Sequence, residues 1–351
     1  MTRAVLLASL GFFSACGGTT DAPADAATSD ASSVPTNMEH TFPEYVVGSG
    51  EDNFGTCQSW SLNNEETLFV NAVHMTNDGA WHHSNWVFVP ETSYAGEDGT
   101  WDCESRGFSE VAGAAMNGGG VFFAQSTQAT DETQQFQPGV VLAIPPHSKV
   151  IGSVHLINTG TSPITTRLTF GINAIAESDV TVRLSPLSYD YMEGLVIPAR
   201  TESSSSMTCD LGAGFRNVTH QEPNFHIYYV LPHYHQLGTG MTLTVVGGPH
   251  DGEVIFENTS AIGDPLGEML PEPFDMTGAT GLRMTCRYDN PNSRDFYYAN
   301  SIDGEMCLLL AYTDAPVTFG GLSSNPRMNG VNEGVTEYES DCGLLSLPSR
   351  H

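Results

Sequence analysis

Basic residues are scarce in this sequence. Lys and Arg together number 12, against 41 Asp and Glu residues, and the 351-residue chain has a formal net charge of −29. Proteins that bind nucleic acid or anionic lipid surfaces need clustered Lys and Arg side chains, and the sequence has no such cluster. We therefore expect neither a nucleic-acid partner nor a membrane contact made by basic side chains.

The sequence also lacks a hydrophobic run long enough to span a bilayer, which takes about 20 residues. The apolar stretch Ala4–Phe13 is shorter, follows Arg3 and ends before Ser14-Ala15-Cys16. This pattern predicts that residues 1–16 are a bacterial lipoprotein signal peptide with Cys16 as the lipidated residue, although an ordinary signal peptide cleaved nearby fits as well.

The segment 17–40 contains no Phe, Trp or Tyr and is rich in Ala, Ser, Thr, Asp and Pro. Because it has little apolar material to bury, this composition predicts a flexible tether. Export and lipidation would place the protein in the bacterial cell envelope, with the membrane reached only through the lipid anchor. Without the lipid we expect a secreted protein, and in either case a monomer.

Paired thiolate motifs are absent as well. No CxxC occurs, which removes support for a thiolate zinc cluster or a thioredoxin-like site. The seven cysteines leave six when Cys16 is set aside, namely Cys57, Cys103, Cys209, Cys286, Cys307 and Cys342. An even number in an exported chain predicts up to three disulfides, and spacing alone leaves their pairing open.

Helical periodicity is weak throughout, whereas 36 Gly and 20 Pro residues separate short segments rich in Val, Ile, Thr and Phe. Such segments are typical of strands joined by turns. The predicted strands are 67–73, 86–89, 121–123, 140–144, 150–157 and 165–172, then 226–230, 241–246, 253–257, 281–288 and 306–312. We place a boundary near residue 190, which gives domains 41–190 and 191–351. The prediction is an all-β protein with two tandem antiparallel β-sandwich domains.

Two of the twelve histidines are adjacent, His82 and His83, after the turn-like Asn77-Asp78-Gly79 and before an apolar strand. Neighbouring residues of a regular strand point to opposite faces, so this pair shares a metal ion only at a strand end or irregularity. His155 lies in an otherwise apolar strand, where it is either a ligand or a hydrogen-bonded core residue. Three such imidazoles are a candidate site for copper, or for zinc with a water, which would indicate hydrolysis.

His233 and His235 stand two residues apart, so in a strand their imidazoles project to the same face while Tyr234 faces the other way. Met306 precedes Cys307 at the start of a later apolar strand, where a disulfide would hold the thioether in place. Two imidazoles and a thioether suit Cu(I), although two solvated His and a core Met are the simpler interpretation. The two sets, one in each domain, together indicate a two-copper redox protein.

These motifs resemble, in the same order, those of the copper type II, ascorbate-dependent monooxygenases, the family of peptidylglycine α-hydroxylating monooxygenase and dopamine β-monooxygenase. The resemblance runs from about Phe54 to Leu345. The matching segments are the His82-His83 pair, Val154-His155, His233-Tyr234-His235-Gln236-Leu237-Gly238, Thr285-Cys286-Arg287-Tyr288 and Glu305-Met306-Cys307.

The resemblance implies a ligand set and an activity. His82, His83 and His155 would hold the copper that supplies electrons. His233, His235 and Met306 would hold the copper at which O₂ and substrate meet, and they are the candidate catalytic residues. Two copper ions per chain, with ascorbate or another reductant as electron donor, would hydroxylate an aliphatic C–H bond of a small molecule.

The resemblance also implies a fold and a disulfide pairing. Two jelly-roll-like sandwiches would place the copper ions on opposite sides of a solvent cleft. The family's pairing would be Cys57–Cys103, Cys209–Cys342 and Cys286–Cys307, which uses every cysteine except Cys16.

Two positions depart from the peptide-hydroxylating members. Those members grip a carboxylate with an Arg two residues before the His-x-His pair and a Tyr four residues after the Met, where this sequence has Leu231 and Leu310. Without an Arg fork there is no bidentate carboxylate recognition. We therefore expect a small apolar or neutral substrate, unless both leucines are simply core. Arg283 and Arg287 are candidate replacements for this grip, and strand alternation predicts both on the face opposite Cys286.

Two other functions remain open at this point. A non-catalytic copper-binding surface lipoprotein would keep the ligands without a working substrate site. A hydrolytic or carbohydrate-processing sandwich would need clustered catalytic carboxylates, and no such pair lies near the motifs. The leading prediction is an exported copper-dependent monooxygenase.

Overall fold

Strands make up most of the structure. The computed structural model describes residues 37–108, 119–259, 267–299 and 303–349, so the signal peptide, Cys16 and most of the tether lie outside the described residues. The strands are β1 Met38–Thr41, β2 Tyr45–Val47, β3 Asp52–Ser61, β4 Leu68–Asn77, β5 Trp81–Pro90, β6 Gly99–Asp102, β7 Gly120–Ala124, β8 Asp131–Gln135, β9 Val140–Ile144, β10 Ser148–Ile157, β11 Ile164–Thr166, β12 Leu168–Ile175, β13 Val182–Arg183, β14 Ser185–Asp190, β15 Val196–Ile197, β16 Thr201–Cys209, β17 His226–His233, β18 Gly238–Val246, β19 Val254–Asn258, β20 Glu268–Asp275, β21 Gly281–Asn290, β22 Phe296–Tyr297, β23 Leu308–Thr313, β24 Val317–Asn332 and β25 Val335–Pro348. The predicted all-β fold class, with jelly-roll-like sandwiches, is confirmed.

The first sandwich consists of β1 to β13. One sheet has the order β1-β12-β4-β9-β13 with β8 added on β4, the other has the order β6-β3-β10-β5-β7, and β2 pairs with β11. Residues two apart along a strand point to the same face, as in β12, where Leu168, Phe170 and Ile172 are buried. Together with rings such as Trp86 and Phe123, they form the core of this sandwich.

The second sandwich is a ten-stranded, nearly closed sheet in the order β19-β18-β21-β16-β25-β24-β14-β23-β17-β20. Its neighbouring strands are antiparallel except for β14 with β24 and β16 with β25. The change of sandwich falls between Arg183, which pairs with β9, and Ser185, which pairs with Thr313 of β23. The predicted boundary near residue 190 therefore lies at the end of β14, because the change in composition comes after this strand.

One α-helix, Leu211–Thr219, was not expected from the sequence. The side chain of Asp210 caps it by accepting a hydrogen bond of 2.7 Å from the N–H of Ala213. The helix packs against β25, and Gly214 permits the close approach, since a Cβ there would lie 2.3 Å from Ser346 Oγ. Glycine at the packed face explains why an apolar helical periodicity is hard to see. No described helix is long and apolar enough to cross a membrane.

All three disulfides follow the pairing that the resemblance implies. Cys57–Cys103 joins β3 to the residue after β6, and Cys209–Cys342 joins β16 to β25. Cys286–Cys307 joins β21 to the residue before β23. The last bond anchors the segment that carries Met306.

The two sandwiches share an apolar seam. Tyr229, Leu310 and Tyr312 of the second sandwich belong to the same buried cluster as the core of the first. The ring of Phe136, from the first sandwich, lies edge-on to Tyr312 with centroids 5.5 Å apart. Leu231 lies in this cluster too, so both leucines that replace the carboxylate grip are packed in the seam.

Candidate metal centre

A β-bulge brings His82 and His83 together. Strands β5 and β10 pair regularly as far as His83 opposite His155, but the next pair is Trp81 with Leu156, which leaves His82 as an extra residue. A bulge redirects side chains that would otherwise point to opposite faces. The two imidazole centroids are 5.3 Å apart. The irregularity that an adjacent ligand pair requires is therefore present at this position.

His155 is held at both ring nitrogens. Its Nε2 lies 2.6 Å from Asp52 Oδ1, and its Nδ1 lies 3.3 Å from His83 Nε2. A carboxylate accepts hydrogen bonds and does not donate them, so Nε2 carries the proton and, in the neutral ring, Nδ1 carries the lone pair. Asp52 thus selects Nδ1 as the nitrogen of His155 that is open to a metal ion.

His233 ends β17 and His235 follows it, with their ring centroids 5.3 Å apart. Tyr234 packs in the core of the second sandwich, as the predicted alternation requires. Gly238 is needed for this packing, because a Cβ there would lie 2.2 Å from Cδ2 of Tyr234. The buried ring of Tyr234 therefore anchors the turn that presents both imidazoles.

Hydrogen bonds orient this second pair as well. His235 Nδ1 donates to the carbonyl of Gly304 at 3.1 Å, and His233 Nδ1 lies 3.2 Å from the hydroxyl of Thr127. The carboxylate of Glu305 accepts hydrogen bonds from the backbone N–H groups of His235 and Leu237 at 2.9 and 2.7 Å. Because Thr127 belongs to the first sandwich, one of these contacts crosses the seam.

The two histidine sets form a single cluster. The ring of His83 lies 4.7 Å from that of His233, and the ring of His82 lies 5.2 Å from that of His235. All five side chains, including His155, are buried. The two sets are therefore in direct contact and are not separated by the solvent cleft that the resemblance implies. The physical reason is the apolar seam, which packs the end of β17 against the bulge of β5.

Burial keeps most of these imidazoles uncharged. It lowers the pKa of His82 to about 3 and that of His235 to about 4, with nearby imidazoles adding to the effect. The pKa values of His83 and His233 fall well below their usual range for the same reason. Both nitrogens of His82, together with Nε2 of His233 and of His235, are buried without a hydrogen-bond partner among the described residues. Orphaned, neutral imidazole nitrogens are suitable ligands for copper or zinc.

The spacing of the donors also fits a metal ion. Two nitrogens that bind one ion at about 2.0–2.1 Å with a tetrahedral angle lie about 3.3 Å apart. The distance between His83 Nε2 and His155 Nδ1 is 3.3 Å. These two nitrogens are therefore spaced as two ligands of one metal ion would be.

Met306 is the sixth predicted ligand. It is 6% exposed and belongs to none of the four apolar clusters found among the described residues. Its backbone N–H lies 3.3 Å from the carboxylate of Glu305, which also fixes the turn after His235. Met306 is thus buried next to the residue that fixes the His235 turn, and its role as a ligand stays a prediction.

Three residues around the cluster were not predicted from the sequence. Asp52 and Thr127 lie 103 and 106 positions from their histidine partners, and nothing in the sequence signals such long-range contacts. Glu305 did carry a signal, because an acidic residue directly before an apolar strand is unusual. It is fully buried, and burial raises its pKa to about 7 despite three backbone hydrogen bonds.

Comparisons with known proteins leave the function open. No model of a protein family matches the sequence, and no curated protein matches it. Among solved structures, the major capsid protein P2 of bacteriophage PM2 is 8% identical, covers 79% of this chain and 97% of its own, and gives a TM-score of 0.29. The cowpea mosaic virus top component is 9% identical, covers 78% of this chain and 89% of its own, and gives a TM-score of 0.36. Likenesses this distant carry no argument about function.

Proposed function

We propose that this chain is a copper-dependent monooxygenase that hydroxylates an aliphatic C–H bond with O₂ and an external reductant such as ascorbate. The observation that carries the proposal is the cluster of five buried imidazoles with orphaned ring nitrogens. With Met306, these side chains occupy the six ligand positions of the family that the sequence resembles. In this proposal the protein is exported, anchored through a lipid on Cys16 in the bacterial cell envelope, and monomeric.

Bound copper would supply the one-electron chemistry and the activation of O₂ that side chains lack. The chain itself orients the ligands, since Asp52 fixes the ring of His155 and the Gly304 carbonyl fixes that of His235. The carboxylate of Glu305 holds the backbone between His235 and Leu237 in place. The apolar seam beside the cluster limits water, which favours a controlled reaction at the site.

The substrate that we propose is small and apolar or neutral. Leu231 and Leu310 are buried core residues of the seam, so they do not line a substrate site, and they support the proposal only in that neither can donate a hydrogen bond to a carboxylate. Arg283 and Arg287 do not replace the missing grip, because they form ion pairs of 2.7 Å with Glu339 and 2.6 Å with Glu257.

The test measures O₂ consumption and product with copper-loaded, ascorbate-reduced protein. We expect an uncharged amide to be hydroxylated at least about tenfold faster than a glycine-extended peptide, which corresponds to roughly 1.4 kcal/mol of discrimination. Zinc-loaded protein and a His235→Ala variant should give no product. Asp131→Asn is the matched control, since it alters only the surface pair with His74. Preference for the free carboxylate would contradict the proposed substrate class.

A non-catalytic copper-binding lipoprotein is the second candidate. It is favoured by the direct contact between the two histidine sets, with rings as close as 4.7 Å, which leaves no cleft between them for a substrate. Tight copper binding without ascorbate-dependent O₂ consumption above the background of free copper would support this candidate over the first.

A further inference from the structure

One histidine belongs to both halves of the cluster. Ligand atoms of His82, His83 and His155 lie within 4.8 Å of one another, and so do those of His83, His233 and His235. The second group differs from the set of two imidazoles and Met306 that the sequence motifs indicate. Its distinguishing feature is that His83 comes from the first sandwich while its two companions come from the second.

The two groups compete for His83. A neutral imidazole carries one lone pair, because its other nitrogen holds the proton. His83 therefore serves one metal ion at a time, and the two three-imidazole groups are not both complete when two ions are bound. The ion that binds His83 has three nitrogen ligands. The other ion keeps two imidazoles of its group, either His82 and His155 or His233 and His235.

The surroundings favour the group that crosses the seam. His83 and His233 have the closest pair of rings in the cluster, 4.7 Å apart. In the group that crosses the seam, His233 and His235 each have an Nε2 without a hydrogen-bond partner among the described residues. In the other group only His82 has an unpartnered ring nitrogen, because the nitrogens of His155 contact Asp52 and His83. Two imidazoles of the first of these groups, against one of the other, therefore have a ring nitrogen that can bind an ion without giving up a contact.

We infer that the first metal ion binds between the two sandwiches, held jointly by His83, His233 and His235. This inference rests on the metal-binding part of the proposed function and does not require turnover. An ion bound in this way links the bulge of β5 to the end of β17, so it stabilises the docked arrangement of the sandwiches in addition to the apolar seam.

The test uses the full metal-free protein and Zn²⁺ as a redox-silent probe, titrated in competition with a chromophoric chelator. We expect His83→Ala and His235→Ala to weaken binding of the first zinc ion by more than about 100-fold, whereas His82→Ala should weaken it by less than about tenfold. His82→Ala is the matched control because it removes a neighbouring imidazole of the same strand that belongs only to the other group. In thermal unfolding, zinc should raise the melting temperature of wild type and of His82→Ala. It should not raise that of His83→Ala or His235→Ala.

A second measurement avoids variants that fail to fold. In wild-type protein with ¹⁵N-labelled histidine, the first equivalent of zinc should shift the ring nitrogens of His83, His233 and His235 and leave those of His82 unchanged. Each of four results would overturn the inference. They are a zinc affinity retained in His235→Ala, a loss of zinc affinity in His82→Ala equal to that in His83→Ala, NMR shifts confined to histidines of the first sandwich, and absence of zinc binding. Failure of the monooxygenase proposal would instead appear as absent O₂-dependent product, with these zinc results unchanged.

Discussion

The hydrogen bond between Asp52 and His155 gives the sharpest test of how the chain prepares its ligands. Asp52→Ala removes the acceptor for the Nε2 proton of a ring that is 2% exposed, so this ring is free to move its proton to Nδ1. The nitrogen that faces His83 would then be protonated and closed to metal. Loss of such an outer partner typically weakens metal affinity by about 10–100-fold, or roughly 1.4–2.7 kcal/mol. Because the Asp52 side chain is 29% exposed, water replaces part of the bond, and we expect the lower end of this range.

Two measurements check this prediction in the metal-free and metal-loaded protein. Long-range ¹H–¹⁵N NMR should report the Nε2-protonated tautomer of His155 in wild type and a mixture in Asp52→Ala. Chelator competition with Cu(I) should show the loss of affinity for the second ion, whose ligands include His155. Asp131→Ala is the matched control, because Asp131 bonds His74 Nε2 at 2.8 Å outside the cluster. An unchanged tautomer together with wild-type affinity in Asp52→Ala would refute the reasoning.

Three further predictions concern the thioether, a disulfide and a buried acid. Met306→His replaces a soft ligand by a harder one, so Cu(I) affinity and turnover should fall, and unchanged activity in this variant would argue against ligation by Met306. The Cys286→Ser/Cys307→Ser double variant opens a loop with a sequence separation of 21 and should lower the free energy of unfolding in urea by about 3 kcal/mol. Burial raises the pKa of Glu132 to about 7, so the folded state holds a proton that the unfolded state releases, and stability should fall as pH rises from about 4.5 to about 7. In Glu132→Gln this fall of stability with rising pH should be absent, and a pH profile of stability equal to that of wild type would contradict the prediction.

The sequence predicted several strands that alternate or run continuously apolar, but not β14 or β24, in which buried residues also alternate. The predicted strand 140–144 has the same bounds as β9. It was predictable because its five buried residues form an apolar run between turns. The polar stretch 201–206 did not read as a strand, yet it lies in β16 between β21 and β25. Ser203 and Ser205 of this strand are buried. Serine therefore occupies the alternate positions at which a strand is recognised by apolar residues. Tertiary pairing overrides local composition at such positions.

The candidate site was predictable one sandwich at a time. The adjacent pair His82-His83 and the spacing of His233 and His235 are local patterns, and the bulge and strand end that present them are local structures. The contact between the two sets is not local, because it depends on how the two sandwiches dock. That docking is decided by side chains such as Phe136 and Tyr312, which carry no signal of a metal site.

In the proposed function, the same docking would limit the side from which a substrate reaches the cluster. Separating the sandwiches would expose Tyr229, Tyr312 and the rest of the seam to water, at a cost of about 25 cal/mol for each Å² of apolar surface. The seam therefore holds the two sandwiches together beside the cluster. Phe54 lies next to the cluster, 56% exposed and edge-on to the ring of His155 at 6.0 Å. Asp52 and Phe54 both lie at the beginning of β3, so the residue that orients a ligand ring stands beside an exposed apolar side chain. In the proposed monooxygenase, a small apolar substrate would approach from this face.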